Sequence, residues 1–321
     1  LPISPEFEAP LAELQEELDR AKATAATGNL DAARIVERLQ GEMQGKLRAL
    51  YAGLNPWQKV QVARHIARPQ PLDYLRSAFT DFVELHGDRR FADDRAIVGG
   101  PASLDGRSVI VVGHAKGHDT QERALRNFGM PGPEGFRKAE RLFRLAEKLG
   151  IPVVTLIDVF GANVGVADEE RGQGEAIASS IAALCSLRVP VVSVVTGEAN
   201  SGGALAIAVA DRILMLEHST FSVASPEAAA AILWHSAKRA PEAAEAMKIT
   251  AQDMLAFGII DGIIPEPIGG AHRDPMAAAQ RLRDAVTPLL DELVHMGTAD
   301  LLDRRYRRYR DLGPYVEGTG T

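Results

Sequence analysis

A single cysteine, Cys185, stands in the 321 residues of the chain, which excludes an internal disulfide and any cysteine-rich metal site. Its setting, IASSIAALCSLRVP, reads as an apolar helix face in which the thiol packs as a small hydrophobe. No run approaches the roughly 18 apolar residues of a membrane span. The opening LPISPEFEAP lacks the basic and apolar segments of a secretory signal, and it lacks an initiator Met. Excess positive charge is missing too: the formal net charge of −7 argues against a general binder of nucleic acid or of acidic membranes. There is no G-x-x-x-x-G-K-S/T phosphate loop. The nearest approach to a dinucleotide fingerprint, GQGEAIA at 172–178, lacks the third glycine and sits on an acidic helix start. ANSGG meets the nucleophile-elbow pattern after Ser201 but has Ala199 where a glycine is needed. His114, His118, His218 and His235 form no recognised metal motif and read as satisfied structural histidines. Together the absences fit a cytoplasmic protein.

What is present is an ordinary globular composition, 46% hydrophobic and 25% charged, long enough for one large domain or two smaller ones. Leu11, Leu14, Leu18 and Ala21, then Val36, Leu39, Met43, Leu47 and Leu50 after a break at Gly28-Asn29, keep helical spacing and predict a helical hairpin. Such an arm needs a surface to cover its stripe. RPQPLDYLRSAF (68–79) is a linker entering a helix, and 82–96 is a polar loop. IVGGPASLDGRSVIVVGHAKG reads as two strands about Asp105-Gly106. EGFRKAERLFRLAEKLG is an amphipathic helix closed by Gly150. VVTLIDVFG and VPVVSVVTGE are strands apolar on both faces, separated by one helix over DEERGQGEAIASSIAALCSL. With the helix GGALAIAVA and the strand after it, 150–215 alternates in the manner of a parallel sheet. FSVASPEAAAAILW and ITAQDMLAFGIIDGIIPEP extend it, with Thr250 and Asp253 resembling a capping box. Residues 274–294 and 298–312 are terminal helices, and RRYRRYR in the last reads as a solvated or subunit-facing surface.

One stretch raises the question of function. GEANSGGALAIAVADRILM (197–215) puts Gly202 and Gly203 at the mouth of a helix with no charged side chain to do chemistry. One reading is a tight turn where no Cβ fits. The other uses the same geometry: the first N–H groups of a helix lack intrahelical partners and can hold an oxygen that gains negative charge. A nucleophile is unnecessary if the attacking carbon belongs to the substrate. DVFGANVG (158–165), after the preceding strand, supplies a second glycine-bearing turn beside the first.

LDYLRSAFTDFVELHGDRRFADDRAIVGG, RNFGMPGPEGFRKAERL, ADEERGQGEAIA, SGGALAI, SPEAAAAILW, GIIDGIIPEPIGGAHRDP and DLLDRRYRRYRDLG closely resemble the alpha subunits of bacterial acetyl-coenzyme A carboxylase carboxyltransferases. The resemblance implies a crotonase-like α/β fold of β-β-α units: a helical arm over 1–67, the carboxyltransferase domain over 68–296, and a C-terminal helix and tail over 297–321. It implies transfer of a carboxyl group from N-carboxybiotin, on the biotin carboxyl carrier protein, to acetyl-CoA, giving malonyl-CoA for fatty-acid synthesis. Activity is implied only with a beta subunit, as an α2β2 assembly served by biotin carboxylase. The zinc is expected in the beta subunit and no metal in this chain. By the same resemblance Gly202 and Gly203 supply the amides for the carbonyl of carboxybiotin; beside them, Gly161 and Gly165 are expected to shape the neighbouring wall and Ser201 to set the turn. Lys116, Arg126 and Lys138 are read either as contacts to CoA phosphates or to the partner, or as surface charges beside local carboxylates.

The chain departs from the pattern of the family it resembles at that cleft. IDVFGANVG stands for IDTPGAYPG, so Val159, Phe160, Asn163 and Val164 replace Thr, Pro, Tyr and Pro. Ala199, Asn200 and Ala208 stand where the family has glycines, and a Cβ at Ala199 is a strain if the backbone there needs positive φ. A working enzyme, one with another short acyl-CoA substrate, and a non-catalytic structural subunit all remain open on these residues.

Overall fold

The computed structural model describes residues 6–26 and 28–313, so the readings on LPISP and on residues 314–321 lie outside the described residues. A helical hairpin opens the chain. α1 (Ala12–Ala25) is met by α2 (Leu30–Ala52), whose first amides are capped by the Asn29 side chain. Leu14, Leu18, Leu39, Met43 and Leu47 close on one another together with Tyr51 and Val62, so the hairpin covers most of its own stripe. α3 (Pro56–Ala63) and α4 (Pro71–Ala78) each begin on a proline, where the missing N–H costs nothing.

The sheet begins with β1 (Ile97–Leu104) and β2 (Arg107–His114), an antiparallel pair whose turn has φ +49° at Asp105 and +79° at Gly106. α5 (Thr120–Leu125) and α6 (Pro133–Leu149) follow, α6 stopping at the left-handed Gly150. After β3 (Val153–Val159) the structure corrects the single helix expected from the sequence. α7 (Val166–Glu170) and α8 (Gln173–Ser186) are separate, because Gly172 at φ +83° turns the chain between them. Cys185 is also corrected: its place on α8 is exposed rather than packed. Then come β4 (Val191–Asn200), α9 (Ser201–Ala208), β5 (Arg212–Leu216), β6 (Thr220–Ser222), α10 (Pro226–Trp234) and α11 (Ala240–Met247). α12 (Ala251–Ala256) starts on the Thr250–Asp253 capping box; β7 (Gly262–Ile264), α13 (Pro275–Val294) and α14 (Thr298–Arg310) complete the described chain.

The strands form one sheet in the order β1-β2-β3-β4-β5-β7, with β6 paired to β4, and every pairing after the first hairpin is parallel. Helices cover both faces. On one, Phe136, Leu142 and Phe143 of α6 and Ile207 of α9 pack on Ile157 and Val195. On the other, Tyr74 of α4 and Leu282, Val286 and Leu290 of α13 pack on Val154 and Val192. Two covered faces explain why β3 and β4 are apolar throughout.

RRYRRYR divides: Arg304, Tyr306, Arg307 and Arg310 are exposed, as the solvated-surface reading has it, and Arg305 is the correction. Arg305 is only 1% exposed. Its guanidinium donates to both Asp211 carboxylate oxygens (2.8 and 2.6 Å) and to the carbonyls of Leu184, Leu187 and Val189 at 2.7–3.0 Å. Arg308 pairs with Asp261, and the Tyr309 hydroxyl accepts from the Ala210 amide. The stripe fastens α14 to the ends of α8 and β5, because only a five-donor fork satisfies that many buried oxygens at once.

Candidate functional site

The site is built where β3 and β4 lose register. Ile157 faces Val195 but Val159 faces Ala199, so β4 carries extra residues over 196–198. Asp158 fills the bulge: its Oδ1 accepts the Glu198 amide at 3.0 Å and the Lys116 ammonium at 2.5 Å. A Cβ on Gly197 would run into the Asp158 carboxylate, so the bulge requires glycine there.

Past the bulge, β4 turns into α9 with no linker. The positive φ of the turn falls on Ser201, at +58°. Ala199 lies in the extended ladder, paired with Val159 and Phe221, and the strain expected of its Cβ does not arise. Gly203 is the crowded position. A Cβ there would stand 2.5 Å from the Ala162 nitrogen and 2.7 Å from the Gly161 carbonyl carbon, whereas one on Gly202 would make ordinary contact with Ile177 at 3.4 Å. The two glycine-bearing turns therefore touch backbone to backbone, at the carboxyl ends of adjacent parallel strands where α/β sheets bind ligands. Beside the second turn of α9 a cavity of ≈ 420 Å³ is lined by Leu205, Phe221, Val223, Met247, Met254 and Phe257.

Asn163, Phe160 and Asn200, three of the residues that break the resembled pattern, have partners of their own. The Asn163 amide donates to Asp168 at 2.5 Å, its backbone N–H to the Pro131 carbonyl, and its own carbonyl accepts from Gln173. Gly165 leads into α7, and a Cβ there would stand 2.7 Å from Asp168. Phe160 lies under the Arg64 guanidinium, 5.7 Å from the ring centre. Asn200 accepts from Ser222 at 2.7 Å, tying β4 to β6.

Beneath the turns lies a charged chain that sequence reasoning missed. Arg64 binds Glu198 at 2.9 Å and Glu227 at 2.5 Å, and Glu198 lies 4.0 Å from Lys116. The available signal was an acidic residue near the end of each apolar strand, Asp158 in VVTLIDV and Glu198 in VVSVVTGE. One layer deeper, Arg68 makes two hydrogen bonds to Glu266 (2.9 and 2.6 Å) and donates to the Thr196 carbonyl in the bulge. Burial by itself raises a carboxyl pKa; the adjacent Arg68 overrides it and holds Glu266 at about 2. The folded value lies below the ordinary carboxylate value of about 4.3, so this stabilisation is complete above about pH 5 and is lost progressively as pH falls towards 2. Urea unfolding is expected to show stability falling between pH 5 and 3, with a shallower fall in Glu266→Gln. An equal slope in both proteins would contradict the assignment.

The three basic candidates separate. Lys116 reaches the site, but its ammonium points inward to Asp158. Arg126 caps α5, bound to Glu122 and to the Arg95 carbonyl. Lys138 is corrected: its side chain is fully buried, donating to Asp93 and to the Asp94 carbonyl, and presents nothing to a phosphate. Among the described residues no group of three or more His, Cys, Asp or Glu side chains is placed to hold a metal ion, and no helix is long and apolar enough to cross a membrane.

Residues 4–313 match the family model described as acetyl co-enzyme A carboxylase carboxyltransferase-like. The chain is 52% identical over 314 residues to the acetyl-coenzyme A carboxylase carboxyl transferase subunit alpha of Paraburkholderia phymatum, covering 98% of this chain and 97% of the relative. It is 51% identical to the Thermus thermophilus subunit alpha, covering 97% and 99%. Among solved structures, a Pseudomonas malonate decarboxylase hetero-tetramer in complex with coenzyme A superposes with TM-score 0.60 at 18% identity, over 75% of this chain and 94% of that one. Transcarboxylase 12S, with methylmalonyl-coenzyme A bound, gives 0.54 at 21% identity, over 72% and 45%. These last two likenesses speak to the fold, which is crotonase-like α/β.

Proposed function

This chain belongs to the acetyl co-enzyme A carboxylase carboxyltransferase-like family, and from that premise we propose how its residues serve the transfer of a carboxyl group from N-carboxybiotin to acetyl-CoA. In that exchange the carboxyl–nitrogen bond of the carboxylated ureido ring breaks, a bond to the methyl carbon forms, and the methyl proton passes to the ureido group. Negative charge collects on the ureido oxygen as the carboxyl group leaves. The amides of Gly202 and of the buried Gly203, in the first turn of α9, hold that oxygen, with the α9 dipole adding to them. No side-chain acid or base of this chain is required. Ser201 holds the turn, and Gly161 and Gly165 form the facing wall.

The observation that carries this reading is the contact at Gly203. Any Cβ would push the 161–162 backbone away from α9, so the glycine keeps two main-chain segments in register at the substrate end of the sheet. The exposed apolar side chains Val164, Val166, Leu205 and Val223 support a second subunit closing over this end. We assign that role to a beta subunit, which brings the thioester site and the zinc, in an α2β2 assembly in the cytoplasm supplied by the biotin carboxyl carrier protein and biotin carboxylase.

The test mixes the purified chain with beta subunit, malonyl-CoA and biocytin. Malonyl-CoA-dependent carboxylation of biocytin is expected from the mixture and from neither subunit alone. A stable complex without turnover would assign the chain a structural role instead.

A further inference from the structure

His114, the last residue of β2, is fully buried, and the mechanism above makes no use of it. The sequence offers it only as a core histidine. Its two ring nitrogens face two different parts of the site. Nδ1 lies 3.4 Å from the backbone nitrogen of Asp158, in the strand that leads into the 160–165 turn. Nε2 lies 3.3 Å from the carbonyl oxygen of Gly203, in the first turn of α9. A backbone N–H can only donate, so Nδ1 accepts from Asp158 and the proton sits on Nε2, where it donates to Gly203. We propose that His114 is the positioning residue of the amide site: a neutral imidazole, its tautomer dictated by Asp158, that holds the first turn of α9 against β3 and so keeps the Gly202 and Gly203 amides aimed at the ureido oxygen. The inference rests on the amide reading of those two glycines.

The surroundings fit a group that stays neutral. Lys116 lies nearby with its ammonium on the Asp158 carboxylate, and that carboxylate also accepts the Glu198 amide. Burial first, and the Lys116 charge second, push the imidazole down to about 3, so protonation does not compete near neutrality. Protonation would convert Nδ1 to a donor facing the Asp158 N–H and break the link. Two long hydrogen bonds are weak individually, but both ends are main chain in buried elements and the ring has little room to turn. A misplacement of about 1 Å at a reacting centre is enough to cost on the order of 100-fold in rate.

Three variants, measured as the complex with beta subunit in the biocytin assay, test this. His114→Met keeps apolar volume and removes both hydrogen bonds. Its kcat is expected to fall about 10- to 100-fold with KM for malonyl-CoA changed less than about threefold, the pattern of an interaction that matters only in the transition state. His114→Gln can accept and donate at nearly the same places, and it should recover most of the lost rate. A methionine variant within about twofold of the parent, or a glutamine variant no better than methionine at equal thermal stability, overturns the proposal. Gly203→Val separates this inference from the reading beneath it. If that variant is inactive while His114→Met is unimpaired, only the role of His114 fails; if it is active, the amide site itself fails. Should the methionine variant not fold, ¹⁵N spectra of histidine-labelled parent protein decide, with His114→Gln identifying the signal. A protonated Nε2 and bare Nδ1 that do not titrate between pH 5 and 9 are expected, and the opposite tautomer or a titrating ring overturns the proposal.

Discussion

Gly203→Val is expected to lose at least about 100-fold in kcat while the chain still assembles with its beta subunit. Two effects converge on that position. The valine Cβ would begin 2.5 Å from the Ala162 nitrogen and 2.7 Å from the Gly161 carbonyl carbon, distances no real contact tolerates, so the turn or the helix start must move. The amides that move are the ones proposed to carry the developing charge, and losing one such donor costs about 10²–10³ in kcat in comparable enzymes. Gly202→Ala is the milder change, since its Cβ meets only the Ile177 side chain at 3.4 Å. It keeps its amide and is expected to lose less than about tenfold. Turnover of biocytin, read beside co-elution of the two subunits, checks both. Equal losses at 202 and 203 would point to general disturbance of α9 rather than to the contact with 161–162.

Arg305→Met is expected to produce the largest stability loss, about 3–5 kcal/mol, because it leaves one carboxylate buried without its cation. Asp211 would keep only the Val191 amide at 2.8 Å, and the carbonyls of Leu184, Leu187 and Val189 would lose donors they cannot replace with water. At about 2.1 cal/mol/K per residue, this lowers Tm by roughly 4–7 °C. Two residues along the same stripe, Arg307 pairs with Asp303 at the surface with 70% of its side chain exposed. Arg307→Met is expected to change stability by less than about 1 kcal/mol. Thermal unfolding of the two variants measures the contrast, and similar losses in both would contradict the buried role of Arg305.

That stripe shows where sequence reasoning reached its limit. Apolar periodicity is local, so the hairpin arm, the turn at Asp105-Gly106, the buried strands and the α9 start were all legible. The direction of a charged side chain is not local. Arg305 and Lys138 read as surface charges because their partners, Asp211 and Asp93, lie 94 and 45 residues away along the chain. The same holds for the bulge: Gly197 is one more small residue until β3 pairs with β4 and Asp158 needs the space. Gly172 misled in the other direction, since helical composition continues across it while its φ of +83° does not. At the site, the two glycines were visible from their place after an apolar strand. The charged chain from Lys116 through Asp158 and Glu198 to Arg64 was not, because it joins four separate segments.

The claim on which the account turns is that main-chain amides, and no side chain, hold the ureido oxygen. A structure of the two-subunit complex with biocytin bound measures this directly. The account predicts that oxygen within about 2.7–3.1 Å of the Gly202 and Gly203 nitrogens. An oxygen held instead by Lys116, or placed away from the start of α9, would contradict it.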